Sequence, residues 1–101
     1  MYLYSITINI DEDVRLDFLS WMKNEFIPQL INTGLFTGKN FLELMNEEKS
    51  SGTTYSLQLF MHSDKEFKKY EDDYLDLHQE IFYKKYNNKF VEFRTLLKMV
   101  E

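Results

Sequence analysis

The chain has 101 residues, of which 17 are acidic and 12 are basic, so its formal net charge is -5. This length suits one domain spanning residues 1–101, and the negative charge disfavours nucleic acid as a partner because phosphates would be repelled. The chain has no cysteine, which excludes disulfides and thiolate chemistry, and no apolar run reaches the ~18 residues of a membrane span. We therefore expect a cytoplasmic protein that contacts neither nucleic acid nor membrane.

The first third of the sequence predicts a strand followed by a long helix. Apolar and polar residues alternate over residues 2–10, which is typical of a half-buried strand. The acidic run at 11–13 suits the start of a helix, and apolar residues then recur at helical spacing over residues 14–22. Pro28 removes a backbone donor, so we expect the helix to kink or restart there, and Gly34 is suited to end it.

The remaining two thirds predict a hairpin, a second helix and a final strand. A strand is expected at about residues 36–45, a polar loop over 46–52, and a clearly alternating strand over 54–61. A second helix follows and is broken at Asn87 and Asn88, and the last strand runs over residues 90–100. The apolar stripe of the second helix is predicted to consist of Phe67, Tyr70, Tyr74, Leu77 and Ile81.

The order of these elements is βαββαβ, which predicts an α+β fold of the ferredoxin-like kind. Each strand–helix–strand crossover is expected to be right-handed, and interleaving the two halves gives a four-stranded sheet in the order 4-1-3-2. Both helices then cover the same face of the sheet.

The other face of the sheet is predicted to be too apolar for water. The helix-covered face is expected to carry Ile6, Ile8, Leu57, Leu59, Val91, Phe93 and Leu97. The opposite face is expected to carry Leu3, Ser5, Thr7, Asn9, Ser56, Gln58, Phe60, Phe90, Glu92, Arg94, Leu96 and Lys98. A solvated face should be mostly polar, so we predict a homodimer in which two such faces pack together. A monomer with a somewhat apolar sheet is the alternative.

Five polar residues on that predicted face form the candidate cavity: Thr7, Asn9, Gln58, Glu92 and Arg94. Convergent polar groups among apolar neighbours are the usual form of a small-molecule site. Arg94 could grip a carboxylate with two hydrogen bonds, and Glu92 could act as an acid or base if burial raised its pKa. The alternative is that both residues only pair with charges of the partner chain, and no catalytic residue is assigned.

Two interpretations stay open for Glu25 and for His78, and one is given for His62. Glu25 falls on the apolar stripe of the first helix and is either a base of raised pKa or turned towards water by the kink. His78 lies within the second stripe and is either a haem or metal ligand or a hydrogen-bonded packing residue. His62 is expected at the surface, and two unpaired histidines lead us to expect no metal and no cofactor.

Five stretches of sequence carry a resemblance to a known family: Tyr2–Glu12, Trp21–Lys23 with Ile27–Pro28, Thr33–Thr37, Gly52–Tyr55 with Gln58, and Lys89–Leu97. They resemble a bacterial family of unknown function, which is similar to the dimeric α/β-barrel superfamily of cofactor-free monooxygenases, small isomerases and lyases, and haem-handling enzymes. The resemblance implies a dimer with a barrel cavity but no particular reaction, since a fold does not specify function. The family commonly has a histidine before its Ile-Pro pair, where this chain has Phe26.

Two functions therefore stay open. One is a dimer that binds a small ligand, for example one that bears a carboxylate, or acts on it as a cofactor-independent enzyme. The other is a non-catalytic interaction or regulatory module whose sheet face serves only for dimerisation.

Overall fold

A computed structural model describes residues 1–45 and 52–101 of the chain. Its single sheet contains β1 (Tyr2–Ile10), β2 (Gly38–Glu43), β3 (Thr53–Met61) and β4 (Phe90–Lys98), in the order β2-β3-β1-β4. All three strand pairs are antiparallel. The predicted ferredoxin-like topology and strand order are therefore confirmed. The loop predicted over 46–52 lies outside the described residues except for Gly52.

The first helical unit, residues 12–32, is interrupted just before its proline. A 3-10 turn (Glu12–Val14) leads into α1 (Arg15–Trp21), a π-helical turn (Met22–Phe26) and α2 (Ile27–Asn32). In the π-helical turn the Ile27 N–H donates to the carbonyl of Met22, five residues earlier. Pro28 has no N–H to donate, so the helix accommodates it by this wider turn, and the α-helix restarts at Ile27, next to the predicted position.

The second helical unit, residues 64–85, has a π-helical turn that the sequence pattern does not predict. It consists of α3 (Asp64–Tyr70), the π-helical turn (Glu71–Leu75) and α4 (Asp76–Lys85). The turn takes up an extra residue, so the buried stripe after Tyr70 moves on by one position and passes through His78. The prediction that Leu77 belongs to the apolar stripe is therefore wrong, because its side chain is exposed.

The core lies between the helical units and one face of the sheet, and aromatic rings fill much of it. Phe18 of α1 is fully buried and contacts the rings of Phe41 and Tyr55 from the sheet and of Phe82 and Tyr86 from the second helical unit. Within the described residues, no helix is long and apolar enough to cross a membrane.

The register of β4 corrects the predicted faces. Residues directly opposite each other in an antiparallel pair share a face, and Ile6 and Ile8, which lie under the helices, are opposite Arg94 and Glu92. All the β4 face assignments made from the sequence are thus wrong by one residue, because a shift of one position exchanges the two faces of a strand. Val91, Phe93 and Leu97 lie on the helix-free side, and the residues on the helix side are Phe90, Glu92, Arg94, Leu96 and Lys98.

We call the helix-free side of the sheet the open face. By register it carries Leu3, Ser5, Thr7 and Asn9 of β1, Gly38, Asn40 and Leu42 of β2, Thr54, Ser56, Gln58 and Phe60 of β3, and Val91, Phe93, Thr95 and Leu97 of β4.

Candidate functional site

The open face carries no charged side chain at any of its strand positions, although charged residues make up 29% of the chain. The side of the sheet beneath the helices, by contrast, includes Lys39, Glu43, Glu92 and Arg94. Depletion of charge is the compositional mark of the centre of a protein interface. The open face therefore has the composition of a surface that is covered in the working protein.

Apolar side chains on the open face lie towards its edges. Val91 and Phe93 of the edge strand β4 are 69% and 65% exposed, and Leu97 of the same strand is also exposed. Leu42 is exposed on the opposite edge strand, β2. Large apolar side chains in a group on one face mark an interaction site more often than scattered ones do.

Hydroxyl and amide groups occupy six of the eight open-face positions on the two central strands, and Leu3 and Phe60 occupy the other two, at one end. Asn9 Nδ2 donates to Thr54 Oγ1 at 3.0 Å, and Asn40 Nδ2 donates to Gln58 Oε1 at 3.4 Å. A small pocket of about 130 Å³ opens beside the first of these bonds, lined by Thr7, Asn9, Thr54, Val91, Glu92 and Phe93. Thr7, Asn9 and Thr54 bring neutral hydrogen-bonding groups together beside the Phe93 ring, and Glu92 is the charged residue of this lining.

The structure divides the five residues of the predicted cavity between two faces. Thr7, Asn9 and Gln58 lie together on the open face, as predicted. Glu92 and Arg94 lie on the helix side, and the prediction that they share a surface with the other three is wrong. The reason is the β4 register, in which Phe93 and Thr95 are the residues opposite Thr7 and Ser5.

Glu92 and Arg94 form a buried ion pair instead. Their side chains are 8% and 15% exposed, and Arg94 Nε and Nη2 donate to the two carboxylate oxygens of Glu92 at 3.1 and 3.3 Å. Arg94 Nη1 donates to the Tyr4 hydroxyl at 2.7 Å, and the Tyr83 hydroxyl donates to Glu92 at 3.2 Å. Burial raises the pKa of Tyr4, although the charge of Arg94 acts in the opposite direction, so this phenol stays protonated. The guanidinium already holds a carboxylate of its own chain and is not available on the open face.

A second buried polar pair joins α3 to α4. The Tyr70 hydroxyl lies 2.7 Å from His78 Nδ1, and both side chains are buried. Burial lowers the pKa of His78 and the charge of Arg94 lowers it further, while burial raises the pKa of Tyr70. The pair therefore joins a neutral imidazole and a protonated phenol through one hydrogen bond between Nδ1 and the phenol oxygen.

The surroundings of His78 match the packing interpretation of this residue. Its ring contacts those of Phe26, Tyr70 and Tyr74. It also lines a groove of about 270 Å³ between the two helical units, which is small beside the ~300–1,000 Å³ of typical ligand pockets. Among the described residues, no group of three or more His, Asp or Glu side chains is placed to hold a metal ion. His62 is exposed, as expected.

Glu25 points away from the core. It is exposed within the first π-helical turn, while its neighbours Met22 and Phe26 are buried. The interpretation in which the kink turns this carboxylate towards water is therefore confirmed.

A larger cleft lies along α4. It measures about 590 Å³ and is lined by Asp76, Gln79, Glu80, Tyr83, Lys84 and Asn87. Lys84 Nζ pairs with Glu80 at 2.9 Å, and both side chains are well exposed. The charges of this cleft form an ordinary solvated ion pair along a helix, so no binding chemistry is assigned to it.

Sequence reasoning missed three residues that line the open-face pocket: Thr54, Val91 and Phe93. The pattern of charges does not identify the open face of β4. Neither alternating set of β1 or of β3 contains a charged residue, so the charged set of β4, with Glu92 and Arg94, matches one face no better than the other.

Comparison with solved structures gives the same fold at low sequence identity. HapK from Hahella chejuensis is 9% identical with a TM-score of 0.71, and the match covers 99% of this chain and 93% of that one. A dimeric ferredoxin-like protein from an uncultured marine organism is 13% identical with a TM-score of 0.70, covering 100% and 96%. A mutant of MhuD with two manganese protoporphyrin IX molecules bound per active site is 10% identical with a TM-score of 0.66, covering 100% and 96%. At these identities the likeness concerns the fold alone.

No curated protein shows significant similarity to the chain. A family model, by contrast, matches residues 1–100 and therefore spans the fold and every site residue described above. This chain belongs to the family described as the domain of unknown function DUF4286.

Proposed function

We propose that this protein is a homodimer in which two open faces pack together and enclose a small-ligand site between the sheets. The observation that carries the proposal is the uncharged open face, with Val91 and Phe93 more than half exposed on it. The occupant we propose is a second copy of the same chain.

Charge favours a second copy over a different partner. Each chain carries a formal charge of -5, so two copies repel each other over most of their surfaces. The open face has no charged side chain and is the surface on which two copies meet without like-charge contacts. A two-fold interface uses the same patch on both subunits, and a neutral patch is complementary to itself.

The apolar side chains of β4 make a substantial contribution to such an interface. Full burial of a Val, Leu or Phe side chain is worth about 1.5–3 kcal/mol, and Val91, Phe93 and Leu97 are each about half exposed or more. Counted on both subunits, these three give about 6–10 kcal/mol, which is comparable to the ~4–15 kcal/mol that association costs. Leu3, Phe60 and Leu42 of the same face add to the favourable side. The solved neighbour named as a dimeric ferredoxin-like protein supports the same assembly.

A second candidate function is a non-catalytic module whose open face serves only for dimerisation. The size of the pocket favours it: about 130 Å³ on one subunit is below the ~300 Å³ at which ligand pockets usually begin. The two functions differ in whether pairing of the sheets leaves an enclosed space or fills it with side chains. A cytoplasmic location stays a prediction for either.

Sedimentation velocity over a range of concentrations tests the dimer. We expect the wild type to sediment with twice the mass of one chain, and Phe93→Glu to sediment as a monomer, because two carboxylates would be buried at the interface. Leu16→Glu is the matched control, since Leu16 is 71% exposed but lies on α1, away from the open face. A monomeric wild type, or a Phe93→Glu variant that dimerises as well as Leu16→Glu, would exclude this interface.

A further inference from the structure

We infer that the space between the paired open faces binds an uncharged compound with several hydrogen-bonding groups, of the polyol or amide class. This inference rests on the proposed dimer and concerns the same site. It departs from the carboxylate ligand expected from the sequence.

The layout of the open face is the reverse of an ordinary interface. Interfaces usually have an apolar centre and a polar rim. Here apolar side chains lie on the edge strands, as with Leu42 and Phe93, and at one end of the central strands, where Leu3 is opposite Phe60. Thr7, Ser56 and their neighbours put hydroxyl groups in the middle. Ser and Thr side chains are shorter than the Leu and Phe side chains around them, so we expect two paired faces to touch first at the larger residues and to leave a polar chamber between their centres.

The central hydroxyl groups need partners when the dimer forms. Within the part of the chain that the structure describes, the hydroxyls of Ser5, Thr7 and Ser56 make no side-chain hydrogen bond, and Gln58 uses only its oxygen. A buried polar group left without a partner is costly, so the chamber holds molecules that can both donate to and accept from these groups. Hydroxyl and amide side chains offer both functions, and they suit a ligand that does the same.

The charges of the site select against ions. Arg94, a largely buried cation of β4, lies on the other side of the sheet and donates to Glu92 and Tyr4. Among the described strand residues of the open face, an anion would find no cation to pair with. The carboxylate of Glu92, which borders the pocket, is already paired with Arg94 and does not call for a cationic ligand. The ring of Phe93, opposite Thr7 across the strands, gives the chamber an apolar wall suited to a carbon skeleton.

The test uses two pairs of probes that differ mainly in charge: D-glucose with D-glucuronate, and nicotinamide with nicotinate. Binding to the wild-type dimer at millimolar concentration is followed by backbone amide NMR shifts on the open face. We expect the neutral member of at least one pair to shift the signals of Thr7 and Gln58, and its anionic counterpart to leave them unchanged.

Two isosteric variants locate the binding. Thr7→Val removes one hydroxyl and should weaken binding of the neutral probe about five- to tenfold, while Thr37→Val, an exposed residue outside the open face, should leave it unchanged. Three results, obtained with a protein that sediments as a dimer, would overturn this inference alone. They are tighter binding of an anionic probe than of its neutral counterpart, equal affinities of Thr7→Val and wild type for the neutral probe, and no response to any probe. A monomeric wild type overturns the proposed function as well.

Discussion

Replacement of Arg94 by methionine probes the buried ion pair beneath the helices. The substitution keeps an unbranched apolar side chain but removes two hydrogen bonds to Glu92, at 3.1 and 3.3 Å, and one to Tyr4, at 2.7 Å. The Glu92 carboxylate, whose side chain is only 8% exposed, then keeps the hydrogen bond from the Tyr83 hydroxyl. Removing one member of a buried pair typically costs about 3–5 kcal/mol, a large part of the ~5–15 kcal/mol that holds a domain folded.

Urea unfolding at neutral pH measures this loss directly. Lys84→Met is the matched control, because Lys84 and Glu80 form an ion pair of similar length, 2.9 Å, between exposed side chains. Exposed pairs contribute at most about 1 kcal/mol, so Arg94→Met should lower the free energy of unfolding several-fold more than Lys84→Met does. The double variant Glu92→Leu/Arg94→Met should recover much of the loss, since apolar residues replace buried pairs at little cost. An Arg94→Met variant no less stable than Lys84→Met would refute the view that this pair is desolvated.

Two further predictions concern pH and backbone conformation. Burial, reinforced by the charge of Arg94, lowers the pKa of His78, so below its ordinary value of about 6.5 the unfolded chain binds more protons than the folded one and stability falls as the pH drops. Urea unfolding at a series of pH values should show a smaller loss of stability on acidification for His78→Gln than for the wild type, and the same loss as the wild type for His62→Gln. An equal dependence of the unfolding free energy on pH in the three proteins would contradict this prediction. Gly52 and Gly34 both have positive φ, at 72° and 77°, but a Cβ at Gly52 would lie 2.5 Å from a β1 carbonyl oxygen whereas Gly34 has open space. Thermal unfolding should therefore show a larger loss of stability for Gly52→Ala than for Gly34→Ala, because the second substitution costs only the ~1–2 kcal/mol of the left-handed conformation. Equal losses of stability would show that the structure relaxes the contact at residue 52.

The fold follows from the sequence because its periodicities are strong. The alternation of β1 and β3 assigns their faces correctly, and Leu57 and Ile8 are buried as that pattern predicts. Interleaving two βαβ halves with right-handed crossovers then gives the observed strand order.

Two local features could not be read from the pattern, and both are shifts by one residue. In β4 both alternating sets contain apolar residues, Phe90 and Leu96 in one and Val91 and Phe93 in the other, so hydrophobicity alone does not choose the buried set. In the second helical unit the π-helical turn breaks the 3.6-residue period, which exchanges Leu77 for His78 in the core.

The one-residue error in the β4 faces also affects the candidate site, because two of its five predicted residues lie on β4. Thr7, Asn9 and Gln58 were placed correctly because they lie on strands whose alternation is unambiguous. The prediction puts Glu92 and Arg94 with them because it assigns the set with Val91 and Phe93 to the helix-covered face, whereas Glu92 and Arg94 form an ion pair on that side of the sheet. The correction strengthens the case for a dimer, since it puts Val91 and Phe93 on the open face.

Thiol labelling at two matched positions tests the covered open face most directly. The chain contains no cysteine, so Val91→Cys and Leu16→Cys each introduce a single thiol, at positions that are 69% and 71% exposed on one subunit. We expect a maleimide to react slowly with the thiol at position 91, and faster on dilution, while the thiol at position 16 reacts rapidly at every concentration. Equal, rapid and concentration-independent labelling of both thiols would show that no second copy covers the open face.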